Sequence, residues 1–166
     1  MKMTVRSMRV EDLAEVVRVQ AACYPSDLQE TELAFASKLN AGGETSLVMV
    51  DRLGRVASYL CCFPWNSCKL MPLGEEEFVR PHQVDSLYIH DLAVDISHRG
   101  AKYGREMIEV AVQVARNLGL GKLVLVAVQG SKPFWQSQGF IQSPLFAGSK
   151  DLSTYGGDAC YMIRVI

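Results

Sequence analysis

The spacing of apolar and polar positions divides the chain into helix-like and strand-like stretches. Thr4 to Arg9 reads as a first strand. From Leu13 the apolar positions Val16, Val17 and Ala21 recur at helical spacing, with Glu11 and Asp12 in the first turn, where the helix dipole favours acidic groups. This helix is expected to stop near Tyr24-Pro25, because the residue before a proline is pushed out of helical geometry. Ser26 to Glu30 reads as a polar connection. Thr31 to Leu39 reads as a second helix that turns Leu33 and Phe35 to a core or pocket, ended by Asn40 to Gly43. Ser46 to Val50 and Val56 to Trp65 are strand-like, and Asp51-Arg52-Leu53-Gly54 between them is a hairpin signal. Asn66 to Val84 is irregular, with Pro72, Gly74, Pro81 and an acidic run from Glu75 to Glu77. Loops of this length in small domains often border a site.

Leu87 to Val94 then supplies an apolar, β-prone strand interrupted in its middle by His90 and Asp91, polar groups that a buried strand seldom carries without a use. A short polar turn leads to Arg99-Gly100-Ala101-Lys102-Tyr103-Gly104-Arg105, and a helix follows whose apolar stripe is Met107, Val110, Ala111, Val114 and Leu118, ended by Gly119. Lys122 to Val128 is a continuous apolar strand of the kind found beside a parallel neighbour. Strand, helix, strand implies a right-handed crossover between parallel strands. Ser131 and Pro133 fit a helix start, and Phe140 to Phe146 and Cys160 to Ile166 read as two strands around a Gly-rich loop. The whole reads as one α/β (α+β) domain over residues 1–166, with the order β-α-α-β-β-β-α-β-α-β-β.

Composition narrows the picture. Hydrophobic residues make up 49% of the chain, so a packed globule is expected. A net charge of −1 argues against general nucleic-acid binding, which needs a surplus of Lys and Arg along a face. No apolar run approaches the roughly 18–20 residues needed to cross a bilayer. The segment MKMTVRSMRVED lacks the apolar core of a signal peptide, so a cytoplasmic protein without a membrane partner is expected. The five cysteines show neither CxxC spacing nor partner histidines at zinc intervals, which favours buried reduced thiols over a metal site or disulfide.

The loop from Arg99 to Arg105 has the chemistry of an anion site. Its glycines permit close backbone approach, the helix start leaves N–H groups unpaired at the positive dipole end, and Arg99, Lys102 and Arg105 add charge. The glycine spacing fits neither the nucleoside-triphosphate loop nor the dinucleotide fingerprint. It resembles the acyl-coenzyme A loop of the GNAT N-acetyltransferase superfamily, [QR]xxGx[GA] after a strand ending in LAV. Arg99 and Gly104 fit that pattern, while Lys102 stands where the first glycine is expected. A second block, Lys132-Pro133-Phe134-Trp135-Gln136-Ser137-Gln138-Gly139-Phe140, is similar to the family's PFYxxxGF segment. His90 before Asp91-Leu92-Ala93-Val94 resembles the arylalkylamine (serotonin) N-acetyltransferase branch most. Cys23-Tyr24-Pro25 followed by Leu28 echoes that branch's loop over its amine pocket.

The resemblance implies the GNAT fold, a mixed sheet of about seven strands with about four helices and a splayed parallel strand pair. It also implies transfer of an acetyl group from acetyl-CoA to a primary amine, here a small (aryl)alkylamine, without a metal, by a monomer or homodimer. Pantetheine would pair with main chain of Leu92, Ala93 and Val94, the pyrophosphate would rest on Arg99 to Arg105, and Phe134 and Trp135 would flank the cofactor. His90 is the candidate base, since an imidazole titrates near neutral pH. Tyr88 falls where the branch carries a second histidine. In a regular strand Asp91 points away from His90. Many members take the acid for the leaving thiolate from a tyrosine at the position of Trp135, so Tyr155 or Tyr161 would replace it, or the thiolate leaves unassisted. Tyr24, Pro25, Phe63 and Tyr88 are candidates for the acceptor pocket, though Phe63, Phe35 and Trp65 serve a core equally well. A protein or peptide amine as acceptor, or a non-catalytic acyl-CoA-binding module, are the alternatives.

Overall fold

A computed structural model describes residues 2–72 and 77–166, so Glu75 and Glu76 of the acidic run lie outside the described residues. In chain order the elements are β1 (Thr4–Ser7), α1 (Leu13–Cys23), α2 (Glu32–Gly42), β2 (Leu47–Val50), β3 (Val56–Trp65) and β4 (Ser86–Val94). They continue with α3 (Tyr103–Asn117), β5 (Lys122–Ala127), α4 (Lys132–Ser137), β6 (Ile141–Gln142), α5 (Lys150–Ser153) and β7 (Cys160–Val165). All seven strands form one mixed sheet in the order β1-β2-β3-β4-β5-β7-β6, and β4 and β5 are its parallel pair. The fifth helix, a single turn, lies inside the Gly-rich loop that the sequence leaves without structure.

Two apolar layers cover the sheet. On one face Leu47, Met49, Leu60, Leu87 and Ile89 pack against Met107, Ile108 and Ala111 of α3. On the other Val48, Tyr59, Phe63, Tyr88 and Ala93 pack against Leu13, Val16 and Val19 of α1 and Phe35 of α2. The buried stripe of α3 runs through Ile108, Val112 and Ala115 beside Met107 and Ala111, while the expected Leu118 is exposed. In α1, Val19 and Gln20 are buried where Val17 and Ala21 were expected. On α2, Leu33 is exposed, and the residue that accompanies Phe35 inward, three positions on, is Lys38.

The strand expected over Phe140 to Phe146 shrinks to Ile141–Gln142. Pro144 has no N–H to donate to a ladder, and the chain turns there, with the Ala147 N–H donating to Pro144 O at 3.0 Å and Phe146 at φ 70°. All five cysteines are free. Cys61, Cys62 and Cys160 are buried and Cys23 partly so, but Cys68 is exposed, contrary to the expectation for it.

Candidate functional site

The site begins with an irregularity in β4. Against its antiparallel neighbour β3, Leu92 faces Leu60, Asp91 faces Cys61, and Ile89 faces Cys62, so His90 is an extra residue with no partner. Such a bulge breaks the two-residue alternation of side chains. His90 and Asp91 therefore share the face covered by α1 and α2. This corrects the expectation that Asp91 points the other way: the Tyr59 hydroxyl, from that same layer, donates to Asp91 Oδ2.

Along its other edge β4 pairs with β5 only at Leu87 with Leu123 and Tyr88 with Val124, and beyond Tyr88 the two strands separate. The opening between them is a cavity of about 260 Å³ walled by Ile89 to Val94 on one side and Leu125, Val126 and Val128 on the other, with Phe134 and Trp135 of α4 also lining it. Two main-chain acceptors of β4 already have partners: Tyr24 Oη donates to Leu92 O at 2.9 Å and Cys23 Sγ to Val94 O at 3.2 Å. A carbonyl carries two lone pairs, so both can accept again.

At one end this opening meets the loop before α3. A second cavity of about 470 Å³ is lined there by Arg99, Gly100, Lys102, Tyr103, Gly104 and Arg105, together with Phe134, Leu92 and Val94. No side chain caps the start of α3, so its first N–H groups stay free. Arg99, Lys102 and Arg105 are exposed, and none forms an ion pair among the described residues. Lys102 holds φ 62°, the left-handed conformation that glycine adopts most cheaply, so the backbone path suits a glycine although the residue is not one. A Cβ on Gly104 would sit 3.5 Å from Phe134 and 3.7 Å from Leu92, so any larger side chain would fill the cavity. Ala101 is exposed and is not among the residues lining this cavity. The free N–H groups, the three cations and the unpaired strand fit a diphosphate joined to an amide-containing arm, which is the chemistry of coenzyme A.

At the other end lies a cavity of about 220 Å³ that shares Tyr24, His90, Asp91, Val126 and Val128 with the opening and adds Glu30, Tyr88 and Tyr155. Tyr155 thus stands in one chamber with His90, its hydroxyl bonded to Met71 O. Burial pushes its phenol up to about 12. Tyr161 is fully buried and donates to Ser67 O at 2.9 Å, away from this chamber. Two acceptor candidates do not line it. Phe63 is fully buried and stacked on Tyr88, with ring centroids 5.7 Å apart, and Pro25 is exposed. Trp135 is buried against Phe140 and offers an indole edge where an acid would be needed.

Glu30 and Lys38 carry roles that the sequence reading did not assign. Glu30 Oε1 meets His90 Nε2, and Glu30 Oε2 meets the Lys38 ammonium. Burial raises the Glu30 carboxyl, but attraction to and hydrogen bonds from His90 and Lys38 outweigh it and hold the group down at about 2. Asp91 goes the other way: burial pushes its carboxyl above the usual range despite the bonds from the tyrosines. His90 Nδ1 is buried without a partner among the described residues. Glu30 lies in a polar connection and Lys38 inside a helix. The one sequence signal was an ionic residue three positions after Phe35, on the buried face.

Among the described residues no group of three His, Cys, Asp or Glu is placed to hold a metal ion, and no helix is long and apolar enough to cross a membrane. A search of curated protein sequences finds no match. Solved structures with the same fold include Ard1 from Thermoplasma volcanium, with TM-score 0.76 and 16% identity over 100% of this chain and 99% of that one. The ribosomal-protein-S18-alanine N-acetyltransferase from Escherichia coli matches with TM-score 0.71 and 18% identity, over 99% of this chain and 94% of that one. The Escherichia coli GNAT family N-acetyltransferase YhbS, solved in complex with CoA, matches with TM-score 0.71 and 16% identity, over 99% of this chain and 82% of that one. The family model described as Acetyltransferase (GNAT) family matches residues 13–140, which span α1 and α2, the opened strand pair and the loop before α3. The chain belongs to the GNAT acetyltransferase family and is an N-acetyltransferase, an enzyme of the acyltransferase class.

Proposed function

We propose that this enzyme transfers an acetyl group from acetyl-CoA to a small primary amine, of the arylalkylamine kind, by direct attack of the amine on the thioester. Acetyl-CoA supplies the activated acyl group. Leu92 to Val94, the loop Arg99 to Arg105, Phe134 and Trp135 would hold it. The observation that carries the reading is His90, which lines both the gap between β4 and β5 and a chamber of about 220 Å³ and whose Nδ1 has no partner among the described residues. An alkylammonium has a pKa near about 10 and must lose a proton before it attacks, and His90 Nδ1 would take that proton directly or through a water.

The chamber supports an aromatic, cationic acceptor. Rings of Tyr24, Tyr88 and Tyr155 and the side chains of Val126 and Val128 give it apolar walls, while Asp27 is acidic and, among the described residues, no Lys or Arg lines it. An approaching ammonium meets the favourable sign of charge. The segment 27–30 and Tyr155 enclose it from two sides, which suits a small molecule better than an extended chain. The test is thiol release from acetyl-CoA with an arylalkylamine, a polyamine and an N-terminal peptide in parallel. Cys68 is replaced by Ser so that its exposed thiol does not react with the detecting reagent. Turnover on the arylalkylamine at the lowest KM supports the proposal. Turnover on the peptide alone moves the acceptor to protein amines, and tight acetyl-CoA binding without release on any acceptor leaves an acyl-CoA-binding module.

A further inference from the structure

Lys38 is the least expected residue of the acceptor side. Its side chain is 2% exposed, beneath α2, and its charge faces Glu30, which is 13% exposed. Burying a lysine and a carboxylate costs more than filling the same space with apolar side chains of similar volume. The pair is therefore poor value as a fold-stabilising device. Its geometry points elsewhere, because the carboxylate is shared: one oxygen takes Lys38 and the other takes His90, itself 6% exposed.

We infer that Glu30 and Lys38 are positioning residues: Glu30 sets which nitrogen of His90 carries the hydrogen, and Lys38 balances the charge that Glu30 places beside the ring. This rests on His90 acting as the base. An ionised carboxylate only accepts hydrogen bonds, so His90 Nε2 must carry the hydrogen and Nδ1 is left with the lone pair. A carboxylate alone beside an imidazole would favour the imidazolium, which cannot accept a proton. Lys38 cancels that pull: with His90 neutral the three groups sum to zero, and protonating His90 would leave a net positive charge in a poorly solvated place. The other titratable or charged groups around them are Asp27 from the segment before Glu30, Cys23 and Tyr24 at the end of α1, Tyr59 and Cys61 from β3, Tyr88 and Asp91 from β4, Arg99 from the loop before α3, and Tyr155 from the loop before β7. Of these, Asp91 pulls toward the imidazolium, which makes the lysine more necessary.

The test uses the full chain labelled with ¹⁵N-histidine; with three histidines the spectrum is simple to assign through a His90→Gln variant. At pH 8 wild-type His90 is expected as the Nε2–H tautomer. In Glu30→Gln the ammonium of Lys38 keeps the amide oxygen and turns the amide N–H toward His90, so the tautomer should swap to Nδ1–H and kcat should fall about 10- to 100-fold with little change in KM for acetyl-CoA. In Lys38→Met the acid limb of the kcat profile should move up by about one pH unit, and Lys38→Arg should move it back. A wild-type Nδ1–H tautomer, or an acid limb unmoved in folded Lys38→Met, overturns the inference. If Lys38→Met does not fold, the wild-type and Glu30→Gln tautomers decide it alone. If no amine is ever acetylated, the catalytic role of His90 falls, while the tautomers and the ¹⁵N titration still report on the relay.

Discussion

The two faces of the sheet are built on opposite terms. Under α3, every side chain of the buried cluster is apolar or a thiol, from Leu47 and Leu60 on the strands to Ile108 and Ala115 on the helix. Under α1 and α2, an apolar layer of similar extent encloses Lys38, Glu30, His90, Asp91 and the Tyr59 hydroxyl. Away from Trp135, Leu92 and Tyr103, which also line the cavities beside β4, the first face serves folding alone. The other places ionic groups where their mutual pairing is the condition for burying them at all. A substitution on the first face should cost stability only, whereas one on the second should cost stability and chemistry together.

The sharpest contrast is Glu30→Ala against Ile108→Ala. Removing Glu30 leaves the Lys38 ammonium without its partner, an expected loss of about 3–5 kcal/mol in urea unfolding, together with loss of turnover. Ile108→Ala opens a cavity and should cost about 2–5 kcal/mol, with kcat unchanged at temperatures where the protein stays folded. Equal loss of turnover in both would erase the contrast.

The acid limb of stability comes next. Glu30 is held from its ordinary 4.5 to about 2, so its contribution is complete above about pH 4.5 and is lost as pH falls toward 2. Asp91 is raised, so its contribution has the other sign, present below its ordinary 3.8 and lost as pH rises through its folded value. At pH 7, Asp91→Asn should therefore be neutral to stabilising while Glu30→Gln destabilises, which thermal melts at pH 7 and pH 4 would compare.

Smaller effects belong to the loop before α3, which lies between the two layers. Gly104→Val should weaken coenzyme A about tenfold in calorimetry by crowding Phe134, Leu92 and Val94. Lys102→Gly should relieve the left-handed backbone and gain about 0.5–1 kcal/mol while weakening coenzyme A through the lost charge. A stability change of the opposite sign would mean that the loop is not strained there.

The sequence shows most clearly what depends on neighbours along the chain. The bounds of β3, the glycines and cations of the loop before α3, and the order of elements as far as β6 all follow from local spacing. What stayed hidden depends on partners far apart in sequence. Glu30 and His90 are 60 residues apart, and Tyr59 and Asp91 are 32 apart. Local pattern assigns a lysine in a helix to solvent, and only the depth of α2 against the sheet places Lys38 inside. Phe63 and Trp65 read equally well as pocket or core, and packing against Phe78 and Tyr88 assigns them to the core. Apolar composition over Phe140 to Phe146 favours a longer strand than Ile141–Gln142, and Pro144, with no N–H to give a ladder, stops it short.

The extra residue in β4 has a consequence for anyone redesigning this scaffold. Taking out His90 would let Asp91 follow Ile89 in unbroken alternation and mend the ladder with β3. The shorter chain would be a tidier sheet with one carboxylate, and no imidazole, at the mouth of the gap. Backbone regularity and reactivity pull in opposite directions at this one position, and selection for thermal robustness alone would be expected to discard the insertion.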